Sequence, residues 1–317
     1  MPAPHPEVSI LIVSYNTRGL LRGCLESLRR GLDEVKLEII VVDNASTDSS
    51  SKMIHDEFPA VKLVQSADNI GFASGINLAR KSASGEFLLI LNPDCLVPRF
   101  TIQKLRDFLV EHPKRAIAGA HITTADGHDL PSVFTIPTLF REFWNFLPEL
   151  KSRILHWLPF HPGGEVRESC QVESISGAAF MIRAAHFDQV GGMDGNFFLY
   201  HEELDLCARI KQAGLEVWSL PDAQVIHFDA QASGYSTRSL PVNPVLEWRV
   251  LGMDRLWQKH RSPADHRKWR RQARSLLGFR VLLLSLKRMW VHPGIRRCID
   301  HRIRDLKELR SKLSGLA

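Results

Sequence analysis

The sequence predicts an α/β protein built on a doubly wound, mostly parallel sheet with a helical, basic C-terminal extension. Three observations carry this expectation. Apolar runs of strand length alternate with stretches of helical periodicity over the first hundred residues, the pattern of a sheet covered on both faces. Polar residues collect where those runs stop, which in open α/β sheets is where ligands bind. Charge also divides along the chain: residues 261 to 317 hold 16 Lys and Arg against four acids, whereas the first 260 hold 25 basic residues against 31 acidic. The acidic body and the basic tail should therefore do different work, and residues 1–230 are read as the main domain with 231–317 as its basic, mainly helical extension.

The chain of 317 residues is 44% hydrophobic and 24% charged, ordinary for a globular protein and unlike a disordered one. No apolar run approaches the 18 or so residues of a membrane span, and "MPAPHPEVS" lacks the regions of a signal peptide, so a cytoplasmic location is expected. Cys24, Cys95, Cys170, Cys207 and Cys298 are odd in number and show no CxxC spacing, which argues against a disulfide framework and a zinc knuckle.

Taken in order, "VSILIVSY" reads as a buried strand. Asn16-Thr17 follows as an N-cap, and Leu20, Leu21, Cys24, Leu25 and Leu28 mark one helical face. The alternation continues with strand 37–43, helix from about 47 to 58, strand 61–65, helix from about 72 to 82, strand 86–92 and helix 100–111. Residues 126–168 are rich in Pro, His and aromatics and read as long loops with a short amphipathic helix. Order returns with a small-residue strand and a helix ending at Gly191-Gly192, a helix from Phe197 to Ala213 stopped by Gly214, and two strands, "EVWSL" and "AQVIHF". Beyond them, Arg267 to Arg271 and Gly278 to Trp290 are basic and then apolar, as in a cationic amphipathic helix.

The strands deliver Ser14-Tyr15-Asn16, Asp43-Asn44 and Asn92-Pro93-Asp94 to their ends, although Asn and Asp also serve there as caps and turn formers. Asp94 and His227 offer an oxygen and an imidazole, a set suited to Mn²⁺ or Mg²⁺ with phosphate oxygens completing the shell. In "YHEELDL", Glu203 falls on one stripe with Leu199, Leu206 and Ile210, while Asp205 points away and can pair with Arg209. A carboxylate on a buried face gains a raised pKa, which suits a general base; the plainer reading is that acids at a helix start complement its dipole. Gly71 and Gly75 in "NIGFASGIN" would let a backbone approach a phosphate or sugar, a weak signal alone.

Together "VSILIVSYNTRGLLRGCLESL", "VVDNASTDSS", "NIGFASGIN", "LLILNPD", "ISGAAFMIRAAHFDQVGGMDGNFFLYHEELDLCARIKQAG" and "VIHF" resemble the successive blocks of the family 2 glycosyltransferases. The likeness is nearest to the bacterial rhamnosyltransferase-like branch of cell-envelope polysaccharide synthesis. It implies a Rossmann-like GT-A fold, a nucleotide-diphosphate sugar donor (dTDP- or UDP-linked), a divalent cation, Mn or Mg, and inversion at the anomeric carbon. It assigns Ser14, Tyr15 and Asp43, with Asn16 beside them, to the nucleoside, and Asn69, Gly71 and Asn77 to the nucleotide and sugar. Asn92 and Asp94 match the DXD motif, Asp94 in the metal-binding place and Asn92 toward the donor. His227 completes the metal site, and Glu203 stands where the base is usually Asp, which leaves Glu202 open as an alternative.

The implied activity is metal-dependent transfer of a sugar, rhamnose by resemblance, to a hydroxyl of a lipid-linked or polysaccharide acceptor. The basic segment 261–317 suits peripheral contact with the inner face of the cytoplasmic membrane; a solvated face or a homodimer contact is the alternative. Nucleic acid is not an expected partner, because the acidic body repels phosphate backbones. A nucleotidyltransferase on a related fold and a non-catalytic nucleotide-sugar-binding scaffold are the competing readings.

Overall fold

The computed structural model describes residues 5–29, 35–135, 167–228 and 244–315. Most of the expected loop and helix region of 126–168 lies outside the described residues. Among the described residues, those up to 228 form one compact unit and 244–315 form a second.

The first unit opens with β1 (Val8–Ser14), α1 (Arg18–Arg29), β2 (Leu37–Asp43), α2 (Ser50–Glu57), β3 (Lys62–Gln65), α3 (Phe72–Arg80) and β4 (Phe87–Leu91). It continues with β5 (Cys95–Leu96), α4 (Thr101–Val110), β6 (Arg115–Thr123), β7 (Val133–Phe134), β8 (Cys170–Gln171), β9 (Ser174–Ile175) and β10 (Ala179–Arg183). Helices α5 (Ala184–Gln189) and α6 (Glu202–Gln212) precede the last strand, β11 (Glu216–His227). The main sheet runs β3-β2-β1-β4-β10-β6-β11-β5, with β8 beside β11. Strands β1 to β4 are mutually parallel, while β10 runs against β4 and β6 and β5 runs against β11.

Alternation along β1 explains the two-sided winding. Val8, Ile10 and Ile12 enter one apolar cluster with Leu21, Leu25, Met53 and Leu105, whereas Leu11 and Val13 enter another with Ile76, Leu206 and Ile210. Period-two geometry sends neighbours to opposite faces, and both faces are closed by helices. Gly75 is needed for this closure: a Cβ there would stand 2.7 Å from Val13, so α3 can lie close on β1 only without a side chain at that turn.

Several boundaries differ from the sequence expectation for local reasons. Helix α2 begins at Ser50 rather than 47, because Ala45 and Ser49 adopt left-handed backbone angles that no helix tolerates. Asn16, at φ 53°, does not cap α1; its carboxamide accepts from Thr47 N at 2.7 Å, and the N–H of Arg18 is taken by Asp48 at 2.8 Å. The two expected final strands are one strand, β11, with a register break between Leu220 and Gln224 around Pro221. Helix α6 begins at Glu202 rather than 197, since Tyr200 and His201 both sit at φ 72°.

The second unit comprises α7 (Pro244–His260), α8 (Pro263–Met289) and α9 (Pro293–Gly315). Ser262 caps α8, its hydroxyl accepting from Asp265 N at 3.1 Å, with Pro263 behind it. Trp257 and Trp269 stack with centroids 6.4 Å apart. Asp254 is buried and held by His266 at 2.8 Å and by a two-pronged contact from Arg270 at 2.6 and 2.8 Å. The Asp254 contact raises the Arg270 pKa.

Candidate active site

Parallel register sets the first part of the site. Ser14 and Asp43 are direct partners at the ends of β1 and β2, and both are buried. The Ser14 hydroxyl lies 2.8 Å from that of Thr17, and Asp43 accepts from Ser46 N at 3.0 Å and from the Ser51 hydroxyl. Tyr15 and Asn16 follow, half-buried. The 43–51 loop therefore folds back onto the carboxylate it follows, and Asn44 carries the connection onward. Its amide donates to Asn69 Oδ1 at 2.8 Å and its oxygen accepts from Ile70 N at 3.0 Å. Asn44 is a positioning residue that the sequence flagged only as a strand-end neighbour of Asp43.

The Asn69–Asn77 block makes close contacts within the chain itself. Gly71 has φ 81°, and a Cβ there would stand 2.5 Å from the carbonyl oxygen of Phe198, while Phe72 N donates to that same oxygen at 2.7 Å. The close approach that requires glycine is thus by the chain itself. Both atoms of the Asn77 carboxamide are engaged by the backbone of Met193, at 2.7 and 2.9 Å. These contacts fix the 191–201 segment that leads into α6.

The NPD sequence is a tight turn: Cys95 N donates to Asn92 O at 3.2 Å, with Pro93 in the second position, where its fixed φ favours such turns. Strand β5 then pairs with the end of β11, Cys95 opposite His227, and Phe228 N donates to Asp94 O at 3.0 Å. This ladder brings His227 Nε2 to 3.1 Å from Asp94 Oδ1, both side chains largely buried. Among the described residues, Asp94, Cys95 and His227 form the one trio of such donors whose ligand atoms all lie within 4.8 Å.

The donors fit a hard divalent cation. Neighbouring ligands of an octahedral ion with bonds of about 2.1 Å stand about 3.0 Å apart, close to the observed 3.1 Å. The Cys95 thiol is turned into the core, donating to Ala178 O at 3.5 Å, so oxygen and imidazole remain as the set. The other ligand positions of such an ion would be open to phosphate oxygens.

At the start of α6 the burial is not as the 100° stripe predicts. Glu203 is half-buried, whereas Glu202 and Asp205 are buried, at 4% and 0% exposure. The helix is covered on more than one side, with Leu204, Leu206, Cys207, Ala208 and Ile210 also buried, so a single stripe does not separate inside from outside. Asp205 does pair with Arg209, at 2.8 Å, but inside the structure rather than on its surface. Burial, reinforced by the neighbouring Glu203 charge, pushes the Glu202 carboxyl well above the ordinary range. Oε2 of Glu202 has no hydrogen-bond partner among the described residues.

Two consecutive residues join the carboxylate groups. The position of a Cβ on Gly177 is 3.7 Å from the Glu203 side chain, and Ala178 O accepts from Asn92 N at 2.9 Å. Glu203 and the NPD turn thus flank the same short stretch between β9 and β10. That stretch was read from sequence only as a small-residue strand, and its small side chains were the available signal.

Residues 9–191 match the family model described as "Glycosyl transferase family 2". The chain belongs to this family. It is similar to an N-acetylglucosaminyl-diphospho-decaprenol L-rhamnosyltransferase of Mycobacterium tuberculosis, 26% identical over 71% of this chain and 77% of that one. The rhamnosyltransferase WbbL of Escherichia coli K12 is 25% identical over 70% of this chain and 83% of that one. These likenesses support the rhamnosyltransferase-like branch of the family. Of solved structures, the mannosyltransferase PcManGT of Pyrobaculum calidifontis, in complex with GDP-Man and Mn²⁺, superposes with a TM-score of 0.56. It is 18% identical and is matched over 98% of this chain and 88% of that one.

The fold is accordingly GT-A and the protein a glycosyltransferase. Family 2 membership gives the strand-end residues a common setting: Ser14, Asp43, Asn92 and Asp94 stand at the ends of β1, β2 and β4, and β11 adds His227 from the far side.

Proposed function

We propose that this glycosyltransferase moves rhamnose, with inversion, from a dTDP-linked donor to a hydroxyl of a lipid-linked saccharide at the cytoplasmic face of a membrane. The reading is carried by one juxtaposition: the Asp94–His227 pair and Glu203 flank a single short segment, Gly177-Ala178. The names of the mycobacterial and E. coli relatives supply the sugar, and the mycobacterial name supplies the diphospho-decaprenol type of acceptor.

In this reading Asp94 and His227 hold a divalent cation, Mn²⁺ or Mg²⁺, which supplies positive charge to the departing diphosphate. Ser14, Tyr15, Asn16 and Asp43 bind the nucleoside, and Asn92 faces the donor sugar. Asn69, Gly71 and Asn77 line the nucleotide and sugar, Gly71 and Asn77 also fixing the 191–201 segment. Glu203 takes the proton from the acceptor hydroxyl as it attacks the sugar face opposite the leaving group. Glu203 is the half-buried one of the two, and burial pushes the Glu202 carboxyl well above the ordinary range, which favours Glu203 for the role. One base without a second nucleophilic carboxylate corresponds to direct displacement.

A thermal-shift panel of dTDP, UDP, GDP and their sugars, with and without Mn²⁺, tests donor and cation together. A ligand at 100 times its Kd stabilises by about 2.7 kcal/mol, and dTDP-rhamnose with Mn²⁺ should give the largest rise. Stabilisation by UDP or GDP sugars alone would remove the donor assignment, and an equal rise without Mn²⁺ would remove the cation. Glu203→Gln should keep the donor-induced shift while losing about 100-fold or more in transfer; transfer at the wild-type rate would overturn its role as base.

A further inference from the structure

Helix α8 carries two apolar faces. Trp269, Ala273, Leu276 and Leu277 are buried, on a helix that packs against α9 within this unit. Roughly 120° away around the axis, at 100° per residue, Phe279, Leu282, Leu283, Leu286 and Trp290 are exposed in a row that follows the i, i+3, i+4, i+7 rule. Trp290 is 88% exposed at the end of the helix, and Ile295 at the start of α9 adds another exposed apolar side chain.

An unbroken row of this kind is a contact surface rather than scattered surface leucines. Its surroundings choose the occupant. Lys287, Arg288, Arg296 and Arg297 are exposed around the same end of α8 and the start of α9, and Lys268 and Arg271 are exposed toward the other end of α8. Asp300 offsets Arg288, in a contact at 2.5 Å. A second copy of the chain on this face would set basic surface against basic surface, which like-charge repulsion opposes. An anionic bilayer offers both needs at once, hydrocarbon for the row and phosphate for the flanking cations, and Trp is the side chain best suited to that boundary. No helix among the described residues is long and apolar enough to cross a membrane, so the contact lies in the plane of the interface.

We propose that the Phe279–Trp290 face of α8, with Ile295, is the surface by which this protein docks on an anionic lipid bilayer. This deepens the reading of a lipid-linked acceptor, but its test uses neither donor nor acceptor and so stands or falls apart from sugar transfer. The full chain should co-sediment with vesicles of phosphatidylcholine and phosphatidylglycerol, less with phosphatidylcholine alone, and less as salt rises. The combined variant Leu282→Gln, Leu286→Gln and Trp290→Gln should partition at least tenfold more weakly while keeping the wild-type helical content. Lys287→Glu with Arg297→Glu, both at exposed positions, should weaken binding to the anionic vesicles only. Wild-type vesicle binding by the Gln variant would overturn the proposal. So would failure of the wild-type chain to bind vesicles, alone or alongside a concentration-dependent dimer that the Gln variant dissociates.

Discussion

The NPD turn and the first turn of α6 bury carboxylates to nearly the same degree, yet surround them differently. Asp94, 2% exposed, is set against an imidazole by a two-residue antiparallel ladder whose register puts His227 opposite Cys95. Asp205, wholly buried, is held by the guanidinium of Arg209 one turn along the same helix. Glu202, at 4% exposure, has the adjacent Glu203 charge, and its Oε2 meets no hydrogen-bond partner among the described residues. Near-equal burial thus goes with three different surroundings. Each of the three should respond in its own way to removal of its neighbour or its charge.

The largest effect is expected at the NPD turn. Asp94→Ala removes the oxygen of the proposed cation pair and should lower sugar transfer about 1000-fold, about 4 kcal/mol of transition-state stabilisation. The Mn²⁺-dependent part of the nucleotide-induced thermal shift should vanish with it. Initial rates over a Mn²⁺ titration check this, and transfer unchanged at saturating Mn²⁺ would place the cation elsewhere.

Much of this contrast was legible in the sequence, and the part that was not has a physical cause. The strand ends and the two-faced sheet follow from local patterns, because period-two burial and strand length are written in consecutive residues. The pairing of Asp94 with His227 is suggested by their places at strand ends and by the family blocks; its cause, the β5–β11 ladder, joins residues more than a hundred positions apart and leaves no local trace. At α6 the stripe argument failed for Glu203 and Asp205 because it assumes a helix buried on one side only. Consecutive left-handed angles at Tyr200 and His201, residues without the glycine that usually signals such a turn, also moved the helix start. The two contacts of the Asn77 carboxamide with the Met193 backbone join residues more than a hundred positions apart, which residue type alone does not reveal.

The next effect is on stability rather than chemistry. Arg209→Ala deprives the buried Asp205 carboxylate of its guanidinium and the Val190 carbonyl of a donor at 2.7 Å. Breaking a buried pair in this way costs about 3 kcal/mol, which in a unit of this size corresponds to a fall of roughly 6–12 °C in Tm. By contrast, Arg22→Ala breaks a bidentate contact with Glu57 between half-exposed side chains and should cost far less, because solvent screens the pair. Comparable losses in the two variants would show that burial does not distinguish the pairs.

The smallest effect is the most diagnostic for Glu202. Its carboxyl has a folded-state pKa raised above the ordinary value, by burial first and then by the Glu203 charge. Between the unfolded and folded pKa the native state binds the proton that the unfolded state has released, so stability must fall as pH rises through that window. One such group changes stability by at most about 1.4 kcal/mol per pH unit. Gln cannot ionise, so Glu202→Gln should gain on the wild type steadily from about pH 5 upward, and denaturant midpoints measured at several pH values would follow the difference. A constant difference across that range would mean that Glu202 ionises in the folded protein as readily as in the unfolded one, and the argument that reserves the base role for Glu203 would lose its footing.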